Sequence, residues 1–174
     1  MIKQAPTSLS TITLNRVFDA PADLVFRVWT EPKLVALWWG VEGATNPVCE
    51  MDVRPGGRWR IDMRTPSGKI YRNQGVFLEV VENKRLVYSD IPDPEMPEWQ
   101  GVPPAPRLHT VTFDWRGEET YVSLEVQMAS EADRNRMIAF GMPDGLKQGF
   151  DRLTALLNDF RRQGRAALNA SESP

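Results

Sequence analysis

Apolar and polar residues alternate along most of this chain, and helical spacing replaces the alternation in only a few places. Residues 10–19 alternate and predict a strand. Pro21 suits the first position of a helix, where its missing N–H costs nothing. Asp23 adds a carboxylate at the positive end of the helix dipole. Leu24, Val25, Val28 and Trp29 then recur at helical spacing. Pro32 opens a second short helix with Leu34, Leu37 and Trp38 inward, and Gly40 ends it.

A strand series follows. Cys49, Met51 and Val53 alternate with Glu50, Asp52 and Arg54, and Pro55-Gly56 is a strong turn signal. Trp59, Ile61 and Met63 alternate with Arg58, Arg60, Asp62 and Arg64 up to a turn at Pro66-Ser67-Gly68. Residues 69–81 predict a longer strand with Val76, Leu78 and Val80 inward, and Glu82-Asn83-Lys84 turns it into Arg85–Asp90. Leu108–Trp115 and Tyr121–Ala129 form a hairpin across Arg116-Gly117-Glu118-Glu119. Val122, Leu124, Val126 and Met128 share one face of its second arm, as in an antiparallel sheet with one wet face.

Between these strands, residues 91–106 hold six of the fourteen prolines. Proline removes ladder donors, so no central strand runs there. A connection this long inside a compact domain is usually functional or mobile. It carries Trp99, which either caps a pocket, docks a second subunit in a homodimer, or folds down as filler. Ser130 to Asp133 caps a helical stretch. A main helix runs from near Pro143 to about Arg162, with Leu146, Phe150, Leu153, Leu156, Leu157 and Phe160 as its apolar stripe. After Gly164 a small, polar tail is expected to be disordered. One domain over residues 10–162 follows, with 1–9 and 163–174 as flexible tails.

The architecture is therefore α+β. A sheet with one apolar face must be buried against something, and the final helix is the only element long enough. An antiparallel sheet curled around such a helix leaves space at one end, where small-molecule pockets usually form.

Composition narrows the function. The 174 residues are 41% hydrophobic and 25% charged, with a net charge of −2, so a soluble globular domain is the default and nucleic acid is not an expected partner. No apolar run reaches the roughly 20 residues of a membrane span. The start, Met1-Ile-Lys-Gln-Ala-Pro, lacks the apolar core of a signal peptide, so a cytoplasmic location is expected by elimination. One cysteine and one histidine are too few for a thiolate-rich metal site. No metal and no cofactor are expected.

Several short motifs add a resemblance. Asp19-Ala-Pro21, Trp29-Thr-Glu-Pro32, Trp38-Trp39-Gly40, Arg54-Pro-Gly-Gly57 and the closing Gly-rich amphipathic helix resemble the START-like (SRPBCC) superfamily. Within it they are similar to the homologues of the heat shock protein 90 ATPase activator. The resemblance spans roughly residues 10–162. It implies a helix-grip fold with a hydrophobic cavity between sheet and long helix, holding an apolar small molecule such as a lipid- or polyketide-like compound. It also implies a chaperone as the alternative partner. The family's eponymous cochaperones carry this domain behind another one, for which 174 residues leave no room.

The expected lining is Trp38, Trp39, Trp59, Ile61, Met63, His109, Val111, Phe113, Leu124, Leu146, Gly149 and Phe150, with Arg72 or Gln74 helping His109 to fix orientation. His109 shares a face with Val111, Phe113 and Trp115, so it points inward as a core group or a polar anchor. As an acid–base group it would instead belong to a cyclase- or hydratase-type enzyme. Cys49 reads as a plain buried thiol. Gly141, Gly145 and Gly149 recur every four residues, either for close backbone approach or to keep the cavity open. Arg58, Arg60 and Arg64 form a solvated face, with a phosphate stripe as the alternative.

Overall fold

The computed structural model describes residues 8–171. A 3-10 turn at Ser8–Ser10 leads into strand β1 (Thr11–Phe18). Helices α1 (Ala22–Thr30) and α2 (Pro32–Trp38) follow, then β2 (Thr45–Met51), β3 (Arg58–Arg64), β4 (Ile70–Val81), β5 (Arg85–Asp90), β6 (Arg107–Arg116) and β7 (Glu119–Gln127). Helices α3 (Glu131–Phe140) and α4 (Met142–Ser171) close the chain. The seven strands form one antiparallel sheet in the order β1-β7-β6-β5-β4-β3-β2. Both edge strands, β1 and β2, flank the α1–α2 connection. Pro47 is tolerated in β2 because that strand is an edge, where no neighbour needs its N–H.

The core lies between the concave face and α4. Phe18 from β1 and Trp29 from α1 meet Phe150 of α4 at ring distances of 5.8 and 5.9 Å. Val122, Leu124, Val126 and Met128 are all buried, as the alternation predicts. Ser130 caps α3 by accepting from the Asp133 amide at 3.1 Å.

At Gly75 strands β4 and β5 and the Trp59 indole approach closely. A Cβ there would lie 1.8 Å from the Ser89 carbonyl oxygen and 2.8 Å from the Trp59 Nε1. The missing side chain lets the Trp59 indole cross β4 and donate to the Ser89 carbonyl at 3.0 Å. The β4–β5 ladder is interrupted here, and the Ser89 hydroxyl accepts from the Val76 amide at 3.1 Å in its place.

Four expectations change. Gly75 and Phe77 hold the inward parity of β4, so Leu78 is 53% exposed, and the register shift between Phe77 and Glu79 then returns Val80 to the core. On α2, Val35 and Trp38 face inward and Leu37 is exposed, because Leu37 lies roughly opposite Val35 round the helix. Trp115, at the far end of β6, is exposed. The final helix runs past Arg162 and Gly164 to Ser171. One tolerated glycine does not end a helix whose flanking residues are helix formers. Of the loose lead-in expected for 1–9, residues 1–7 lie outside the described residues, as do 172–174 of the expected tail.

Candidate functional site

A cavity of about 330 Å³ lies between α4 and the sheet, bordered by residues of β3 to β7. Its apolar wall is a run of aromatic rings. Trp29 and Trp38 are 4.8 Å apart and Trp38 and Trp39 5.7 Å; Trp59, behind the wall, packs on Trp39 at 6.0 Å and on Tyr88 at 5.5 Å. Such tilted pairs are favourable beyond the area they bury. Met63, Leu124, Leu146 and Phe150 complete the wall.

The opposite end is polar and buried. The Arg107 guanidinium donates to Oδ2 of Asp90 from Nε at 3.1 Å and from Nη2 at 2.7 Å. Its Nη1 points at the Met137 sulfur, 2.8 Å away, a weak acceptor. His109 stacks on Tyr88 with ring centres 4.9 Å apart. Its Nε2 lies 3.3 Å from Asp90 Oδ2, near enough for attraction but without hydrogen-bond alignment, and neither ring nitrogen has a hydrogen-bond partner among the described residues. Burial alone would raise the Asp90 pKa, but the contacts with His109 and Arg107 outweigh it and hold the carboxyl below its ordinary value. Burial, with Asp90 nearby, pushes the Tyr88 phenol far above its usual range.

Two devices hold the walls. The guanidinium of Arg152 on α4 gathers the loop after α2, donating to the carbonyls of Leu37, Trp39, Val41 and Ala44 at 2.8–3.2 Å. It thereby satisfies the carbonyls left over at the α2 C-terminus. Burial lowers the Arg152 pKa. The proline-rich connection forms the lid. Trp99 is 4% exposed, donates from Nε1 to the Asp93 carbonyl at 3.0 Å, and meets Phe140 at 5.1 Å. Arg136 of α3 lies 5.4 Å over the Trp99 ring and donates to the Trp99 and Val102 carbonyls. Lys69 and Tyr71 both reach Glu98.

A family profile, described as AHSA1, Activator of Hsp90 ATPase homolog 1-like protein, matches residues 19–158. The chain belongs to that family. The family sits within the START-like (SRPBCC) superfamily, and the seven-stranded sheet gripping α4 is its helix-grip-like architecture. Solved structures agree. A crystal structure of a protein from Nitrosomonas europaea is 23% identical, covering 90% of this chain and 99% of that one at a TM-score of 0.78. One from Chromobacterium violaceum is 27% identical, covering 85% and 96% at 0.69. An AHSA1 protein from Silicibacter pomeroyi is 17% identical, covering 85% and 97% at 0.68. No curated protein matches the chain.

In this AHSA1-like domain the expected residues fall into two groups. Trp38, Trp39, Met63, His109, Leu124, Leu146, Gly149 and Phe150 border the cavity. Trp59, Ile61, Val111 and Phe113 do not; they are buried core behind or beside it, and Phe113 packs against Phe26 and Trp29. Of the two expected anchors, Arg72 borders the cavity and Gln74 does not. Both are exposed, because Tyr71, Asn73 and Gly75 hold the inward parity of β4. Arg72 sits opposite Asp62 in the register, and Gln74 pairs with Ile91. Arg60 also turns outward and grips Asp62 at 2.6 and 2.9 Å, a bond that, with Arg72 nearby, lowers the Asp62 pKa.

Gly141 does not share a helix face with Gly145 and Gly149. It ends α3 in the left-handed region at φ 95°, where glycine is favoured. Gly145 and Gly149 face the Gly40–Val41 loop, not the sheet, and border the cavity. Cys49 is held in thiol form by burial, its pKa pushed up to about 11.

The sequence reading missed Asp90, Arg107 and Tyr88. A signal was there: Tyr88 and Asp90 keep the parity of buried Leu86, and Arg107 that of His109. Opposite charges on inward positions at the two ends of one connection mark a buried pair.

Proposed function

We propose that this domain binds a small apolar molecule inside the cavity and does not transform it. One observation carries the reading: an aromatic-walled hollow of about 330 Å³, at the small end of ligand-site volumes, persists beneath an ordered lid. Gly145 and Gly149 support it. Glycine in a helix interior costs about 1 kcal/mol against alanine, and both border the hollow beside the Gly40–Val41 loop. Affinity comes from area removed from water, about 25 cal/mol per Å².

A purely binding role fits the polar end better than acid–base chemistry does. Asp90 is already committed to Arg107, and the Tyr88 phenol is driven away from ionisation. Native mass spectrometry of protein purified from its own host tests the proposal, paired with thermal-shift measurements on a panel of lipid- and polyketide-like compounds. A co-purifying lipophile or a dose-dependent rise in melting temperature is expected. No bound mass and no shift across the panel would overturn it.

A further inference from the structure

We infer that the cavity takes a neutral molecule with an apolar ring body and a single hydroxyl head, the head seated at the Asp90–Arg107 end. This rests on the cavity reading above and names the chemistry of its ligand. Asp90 and Arg107 border the cavity and are both buried. The bonds of the pair converge on Oδ2 of Asp90, and no group among the described residues bonds Oδ1. The guanidinium has five N–H donors. Two of them serve the carboxylate and one a thioether, so two remain without a protein partner. Buried polar groups are ordinarily satisfied, and an unmade bond here is costly.

The unmet bonding is of both kinds, an acceptor oxygen beside donor N–H groups. A hydroxyl is the simplest head that answers both, donating to Oδ1 while accepting from Arg107. Charge decides against the alternatives. Asp90 and Arg107 neutralise each other, so a carboxylate head would face Asp90 and an ammonium head would face Arg107. His109, flat against Tyr88 with two unpartnered ring nitrogens, makes the same end polar on a second side.

Equilibrium dialysis of the full chain at pH 7 tests this with three probes of one ring size: naphthalene, 2-naphthol and 2-naphthoate. 2-Naphthol is expected to bind about ten-fold tighter than naphthalene or better, the worth of a hydrogen bond to a charged group, and tighter than 2-naphthoate. In the Asp90→Leu/Arg107→Met double variant, naphthalene binding is expected to persist and the 2-naphthol advantage to vanish. Equal affinity for naphthalene and 2-naphthol, or 2-naphthoate as the tightest probe, would overturn the hydroxyl head and leave the cavity reading standing. Binding of none of the three would overturn both. Should the double variant not fold, the order of probes on the wild-type chain still decides.

Discussion

Single residues show where this domain favours a hollow over stability. A Cβ at Gly149 would meet the Gly40 carbonyl oxygen at 3.6 Å and the Trp38 ring at 3.8 Å, both ordinary contacts. Gly149→Ala is therefore expected to raise stability by about 1 kcal/mol in thermal unfolding and to weaken probe binding. Arg152 is the opposite case. Arg152→Ala would orphan a cluster of carbonyls behind Trp39 and is expected to cost about 3 kcal/mol in urea unfolding. Arg152→Lys should recover only part of that, because an ammonium lacks the planar fork. Asp90 sets a pH dependence. Its folded pKa lies below its unfolded value, so its contribution is present above about pH 4 and is lost as pH falls through the folded value. Acid unfolding should therefore be shallower in the Asp90→Leu/Arg107→Met variant than in wild type. At neutral pH the variant should be about as stable, since an apolar pair often replaces a buried ion pair without loss.

At the scale of elements, the close approach at Gly75 and the lid over the cavity can be tested separately. Gly75→Ala would drive a Cβ into the Ser89 backbone, and it should destabilise the whole domain in thermal melts. Trp99→Ala should act locally. Hydrogen exchange is expected to quicken across residues 91–106 while the β6–β7 hairpin keeps its protection. These elements also mark what could be read in advance. The hairpin, both proline-opened helices and the apolar stripe of α4 follow from local spacing. The exposure of Leu78 does not, because it follows from the parity of Gly75, whose place is set by the neighbouring strand and the Trp59 indole. Nor does the seat of Trp99, which is fixed by Arg136 and Phe140 from a helix some 40 residues on. The exposure of Arg72 and Gln74 has the same origin, since Gly75 is held to the inward parity of β4 by its close approach to Ser89 and the Trp59 indole.

The whole molecule is a sheet that closes tightly on α4 at one end and stands off at the other. Phe26 and Trp29 both meet Phe113, and Phe18 meets Phe150. At the open end a lid, a clamped loop and two helix glycines surround the hollow. Among the described residues no helix is long and apolar enough to cross a membrane, and no cluster of ligating side chains could hold a metal ion. The site offers a shape, aromatic walls and one buried charge pair. The most direct measurement is an NMR search for intermolecular NOEs between bound naphthalene and the protein. Contacts to the Met63 methyl, the Leu146 methyls and the Trp39 ring are predicted. Contacts confined to the exposed side chains Leu78, Val81 and Trp115, or none at all, would contradict the account.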